Sequence, residues 1–179
     1  MVLLLLLLTG IIKLLKYLVI FLFVMYNILG DYMLDQVIKD IKKTGLIEII
    51  KGKNSNVLEY FKNTLNCSYV PKQVVEFYSK YDGARFTIND MYSLKELKDL
   101  ASDFKYESKA FKIKYEDDMY IPIADDGMGG YYVFSSNKKD NKIYWIDSEN
   151  IGSKWFEYKD LADFLDDMNK AAIYCNENE

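Results

Sequence analysis

Tyr120-Ile121-Pro122-Ile123-Ala124-Asp125-Asp126-Gly127-Met128-Gly129-Gly130-Tyr131-Tyr132-Val133-Phe134, followed beyond a polar turn by Lys142-Ile143-Tyr144-Trp145-Ile146-Asp147, is the segment around which this chain is organised. Its apolar runs are short, rich in Ile, Val, Tyr and Trp, and bounded by Asp, Gly, Ser or Asn. That is the pattern of strands separated by turns, and it predicts three strands of one sheet.

The loop from Asp125 to Gly130 is the most distinctive local feature. Gly127, Gly129 and Gly130 permit positive φ or a close backbone approach, and the two aspartates can accept hydrogen bonds from nearby backbone amides. A phosphate-cradling glycine loop opens onto a helix, whereas this one opens onto the strand Tyr131 to Phe134. A calcium loop needs oxygen ligands at alternate positions before its glycine, and two adjacent aspartates do not supply them. The loop reads as a structural turn.

Composition narrows the chemistry. Half of the 179 residues are apolar and 16% are aromatic, enough for one domain with a real core. The chain has no histidine, which removes the usual general base near neutral pH and the commonest metal ligand. Cys67 and Cys175 lie far apart with no third thiol, so there is no Cys-rich metal site or Cys-x-x-Cys motif. A disulfide between them is open, and two thiols fit a reducing compartment at least as well. The net charge is -4, becoming -5 without residues 1–32, and Arg85 is the one arginine. Gripping nucleic acid through its phosphates needs clustered Lys and Arg, so direct nucleic-acid binding is not expected.

Upstream, residues 1–32 read as a hydrophobic leader or transmembrane anchor, followed by a domain over 33–174 and a tail at 175–179. From Val2 to Gly30 the only charges are Lys13 and Lys16, and Leu3 to Leu8 is an unbroken leucine run. A helix from Leu3 to Gly30 would be about 42 Å long, against a hydrocarbon core of ~30 Å. A lysine at mid-bilayer costs about 3 kcal/mol, which places the expected span nearer Ile12 to Asp31. No alanine precedes Ala84 and no cysteine precedes Cys67, so neither a cleavage site nor a lipidation site is expected. Lysines flank the span on both sides; the expectation is a single membrane span with a cytoplasmic domain. If translation starts at Met33, the domain is cytoplasmic and unanchored.

Between leader and sheet the apolar spacing is helical. Leu34, Val37, Ile38 and Ile41 make one buried face that Gly45 ends; Leu46, Ile47, Ile49 and Ile50 form a run of uncertain type. Val57, Leu58, Phe61 and Leu65 make a second face. Pro71 suits the first turn of a helix burying Val74, Val75, Phe77, Tyr78 and Tyr81, with Asp82-Gly83 expected to end it. Ala84 to Met91 looks extended, and Ser93 to Glu96 is a capping box for a helix through Leu97, Leu100 and Ala101. Phe111, Ile113 and Tyr115 alternate with lysines as in a half-exposed strand. Asp160 can cap a last helix that buries Leu161, Phe164, Leu165 and Met168, leaving a loose polar tail after Tyr174.

Val70-Pro71 before an apolar helix, Asp82-Gly83 after it, Ile121-Pro122-Ile123-Ala124-Asp125-Asp126-Gly127 with Gly129-Gly130, the strand Lys142 to Asp147 and the closing Leu161-Ala162-Asp163-Phe164-Leu165 together resemble the SUKH superfamily, the Smi/Knr-like group. The resemblance covers roughly Ser55 to Lys170. Val70 and Asp82 stand where the family usually has Leu and Asn, both conservative exchanges. The resemblance implies an α+β domain, a bent, mainly antiparallel sheet packed by helices, here preceded by the N-terminal hydrophobic helix. It also implies a protein without a catalytic centre or cofactor. Bacterial members are mostly immunity proteins that bind a cognate toxin; fungal members are regulatory adaptors.

The function expected is therefore non-enzymatic: neutralisation of a cognate, cationic toxin, for example a nuclease, by direct binding. Carboxylates that present themselves to such a partner are Glu116, Asp117 and Asp118, Asp125 and Asp126, and Asp160, Asp163 and Asp167, each weighed against an ordinary solvated position. Trp145 and Trp155 are candidate anchors, although a strand tryptophan is more often core. The alternative is a membrane-tethered regulatory adaptor, with residues 1–32 as the membrane contact. An enzyme built on adjacent carboxylate pairs is disfavoured, because neighbours on a strand point opposite ways.

Overall fold

The computed structural model describes residues 2–86, 90–110, 119–147 and 156–178. Among these the elements are α1 (Val2–Thr44), β1 (Glu48–Lys51), α2 (Val57–Thr64), α3 (Lys72–Lys80), β2 (Tyr81–Arg85), β3 (Asp90–Met91), α4 (Leu97–Ala110), β4 (Tyr120–Asp125), β5 (Gly130–Ser135), β6 (Ile143–Asp147), β7 (Phe156–Tyr158) and α5 (Leu161–Asn178). The seven strands form one sheet in sequence order, each antiparallel to the next, so the fold is α+β as expected. The expected strand over Phe111 to Tyr115 lies outside the described residues.

The three strands expected from Tyr120 to Asp147 are β4, β5 and β6, with Tyr132 opposite Ala124 on one side and Trp145 on the other. Pro122 has no N–H to give a ladder, yet β4 lies inside the sheet. A bulge between Pro122 and Ala124 absorbs the missing donor.

All six residues of β5 are buried, because helices cover both faces of the sheet. Tyr132 meets Phe164 of α5 at 4.7 Å between ring centroids, and Phe134 meets Phe61 of α2 at 5.8 Å, so α2 and α5 share one face. Tyr131, pointing the other way, meets Phe104 of α4 at 5.1 Å. Tyr78 of α3 joins the first cluster, 5.9 Å from Phe61, and its hydroxyl donates to the Tyr92 carbonyl at 2.9 Å. Two buried amides fix helix positions: the Ala162 N–H donates to Gln73 Oε1 at 2.9 Å, joining α3 to α5, and Thr44 Oγ1 bonds Asn169 Oδ1 at 3.1 Å.

Several boundaries differ from the sequence expectation. The helix that follows Pro71 stops at Lys80, and Tyr81 is already extended, so Asp82-Gly83 belongs to β2 instead of ending α3. Gly83 has φ +107°, and a Cβ there would sit 2.4 Å from the Met91 carbonyl oxygen; it is glycine because β3 crosses so close. Of the run Leu46 to Ile50, Ile49 and Ile50 lie in β1, while Leu46 and Ile47 form the bend that leads into it. The expected loose tail is helical as far as Asn178. Gly45, with φ +68°, closes α1 through its N–H to the Ile41 carbonyl, as its spacing predicts.

The N-terminal segment requires a correction. The chain forms two compact units, Met1–Gln36 and Val37–Glu179. Among the described residues no helix is long and apolar enough to cross a membrane, which overturns the single span expected over residues 1–32 and the membrane placement built on it. The leader is instead the first part of α1, and the exposed apolar run Ile11 to Leu22 contains Lys13 and Lys16. Each ammonium group placed in a hydrocarbon core would cost about 3 kcal/mol.

Buried phenols give the fold a defined alkaline limit. Burial pushes Tyr78 well above its ordinary value of 10.0, and the charges of Asp82 and Glu96 push the same way. Burial also raises Tyr92, Tyr144 and Tyr158. Above pH 10 the unfolded chain loses these protons while the folded chain keeps them, so stability falls as pH rises. Urea midpoints measured from pH 8 to 11 should be flat at first and then drop above pH 10. In Tyr78→Phe the drop should be shallower by about 1.4 kcal/mol per pH unit; an unchanged slope would contradict the assignment.

Candidate functional site

The Asp125 to Gly130 turn is built by its own side chains. Asp125 Oδ1 accepts the Gly127 N–H at 3.1 Å, and Asp126 Oδ1 accepts those of Met128 at 2.8 Å and Gly130 at 2.7 Å. The Asp126 N–H closes the hairpin on the Gly130 carbonyl at 3.0 Å. These are Asx turns, in which a short carboxylate substitutes for a backbone acceptor. Gly127 and Gly129 supply the positive φ angles, 68° and 97°.

Both carboxylates also reach out of the turn. The second oxygen of Asp126 accepts the Trp145 indole N–H at 3.0 Å, tying the turn to β6. Asp125 Oδ2 accepts the Tyr92 hydroxyl just beyond β3. Gly130 makes this possible: a Cβ there would stand 2.2 Å from Asp126 Oδ2 and 2.6 Å from Trp145 Nε1. The structure therefore brings together three of the expected site residues, Asp125, Asp126 and Trp145, as one hydrogen-bonded unit. No Lys or Arg pairs with either aspartate among the described residues. Trp145 is half-buried, while Met128 at the tip is 76% exposed.

The acidic set on α5 divides. Asp160 is buried and caps the helix, its Oδ1 accepting the Asp163 N–H at 3.0 Å, so it offers nothing to a partner. Asp163 is exposed and reaches back to the Lys159 N–H at 3.0 Å; Asp167, also exposed, accepts the Tyr158 hydroxyl at 3.2 Å. Glu116, Asp117, Asp118 and Trp155 lie outside the described residues.

Two features had no sequence signal. A shallow depression of about 430 Å³ is lined by Lys53, Asn54, Asn56, Glu59, Tyr60 and Asn63, among others, with one acid in its wall. At the β5 end, buried Ser136 Oγ accepts the Ser68 N–H at 2.7 Å and Ser68 Oγ donates to the Ser136 carbonyl at 2.7 Å, clamping the α2–α3 connection. Beside this clamp burial pushes the Cys67 thiol up to about 12, against a smaller opposing pull from a Ser136 hydrogen bond, so it is an inert core thiol. Cys67 and Cys175 are both free. Among the described residues no group of three His, Cys, Asp or Glu could hold a metal ion.

Removing the Asp126 carboxylate leaves three N–H donors without their acceptor. Asp126→Ala should therefore cost about 3 kcal/mol in chemical denaturation. Gly130→Ala, which drives a methyl group into the same carboxylate, should cost about 2 kcal/mol or more while Met128→Ala stays within about 0.5 kcal/mol. Equal, small effects at all three positions would show that the turn is not held by this carboxylate.

No curated protein matches the chain significantly. The sequence model of the SMI1 / KNR4 family (SUKH-1) matches residues 54–167, which span α2 to α5 and contain the whole Asp126 turn. With well over half of its length matched, the chain belongs to the SMI1 / KNR4 family (SUKH-1).

Proposed function

We propose that this protein is a non-enzymatic binding protein of the immunity class, which neutralises a cognate bacterial toxin by covering part of its surface. Membership of the SUKH-1 family is the observation that carries this reading, since the family is immunity-protein-like in character. The use of carboxylates agrees with it. Asp125 and Asp126 are committed to backbone, phenol and indole donors, which suits them to shape a surface rather than to move protons. The acidic balance of the chain, -4, favours a cationic partner through faster encounter and charge complementarity.

Co-expression tests the reading. The protein encoded beside this gene, if toxic when produced alone, should lose its toxicity when this chain is made with it, and the two should co-purify. Asp163→Lys combined with Asp167→Lys should weaken the complex more at low salt than at high salt, because both side chains are solvent-facing. Rescue without any physical complex would contradict neutralisation by binding.

A further inference from the structure

The β4–β5 tip and the neighbouring end of β6 and β7 carry a surface whose chemistry is specific. The Trp145 indole has its one polar atom satisfied by Asp126, so the outward part of the ring is purely apolar. Phe156, its direct partner in the antiparallel register, is 56% exposed, and such pairs lie about 5 Å apart at Cβ. Met128 projects from the tip, with its backbone held by the same carboxylate that holds the indole. The tip is thus rigid and its apolar side chain is open.

Charge selects the occupant. Asp126 accepts hydrogen bonds but has no cationic partner among the described residues, so a negative charge sits beside an aromatic face. An aromatic face next to carboxylates attracts a guanidinium or ammonium group, which stacks on the ring while its charge is balanced. We propose that Met128, Trp145 and Phe156, with Asp126 behind them, dock a basic segment of a partner protein through an arginine or lysine laid against the indole. This inference rests on the partner-binding reading above and names the face that performs it.

The test needs no toxin, so its failure is distinguishable from failure of co-expression. The full-length chain, labelled with nitrogen-15, is titrated with an amidated Arg-Gly-Arg peptide and, as control, Gln-Gly-Gln; Trp145→Phe assigns the indole resonance. Saturable shifts are expected at the Trp145 indole N–H and at the amides of Gly127, Met128 and Gly129 with the basic peptide alone. Met128→Lys should weaken this binding at least tenfold, whereas Met128→Glu should not weaken it. Shifts centred elsewhere, an equal response to the neutral peptide, or undiminished binding by Met128→Lys would each overturn the proposal.

Discussion

The Asp126 carboxylate accepts three N–H bonds, two from the turn that it opens and one from an indole on the next strand. A hairpin turn is usually stabilised only by its own residues and frays first. Here the two oxygens are divided between the Met128 and Gly130 amides and the Trp145 ring, so the turn cannot open without releasing the Trp145 indole of β6. Hydrogen bonds to a charged acceptor are worth more than neutral ones, which makes this a strong polar anchor of the fold. Gly130 has to be glycine because the carboxylate and the indole occupy the place of its Cβ.

The same economy recurs in the acidic residues elsewhere. Asp160 and Asp163 cap α5, and Asp82 accepts the Leu94 N–H at 3.0 Å and the Asn54 amide at 3.2 Å, fixing the approach to α4 against the loop after β1. Carboxylates used in this way stiffen a sheet whose neighbours in space are neighbours in sequence. Aromatic residues complete the work: β5 alternates Tyr131 toward α4 with Tyr132 and Phe134 toward α5 and α2. The outcome is a scaffold that presents one end of its sheet, including Met128 and Phe156, to solvent.

Strands β4 to β6 were legible because their apolar runs are interrupted by Asp, Gly and Asn where the chain must turn, and the Asx turn was legible from Asp125 and Asp126. The Asp160 cap was legible from local spacing alone. What local spacing could not give was anything decided by approach across the sheet. Gly83 looked like a helix end because Asp-Gly commonly is one, whereas the nearby Met91 carbonyl is the actual constraint. The link from Asp126 to Trp145 crosses 19 positions and had no periodic signature. The three-residue β7 was too short to carry a strand pattern. In the leader, composition implied a span that the described helix does not support.

Native-state hydrogen exchange at the Gly130 amide and the Trp145 indole N–H tests the central claim most directly, since both protons sit on the Asp126 carboxylate. If that carboxylate welds the turn to β6, both should exchange only through global unfolding, with the same free energy and denaturant dependence as buried amides of β5. Exchange of either through a local, denaturant-independent opening would show that the turn moves on its own, and would contradict the account.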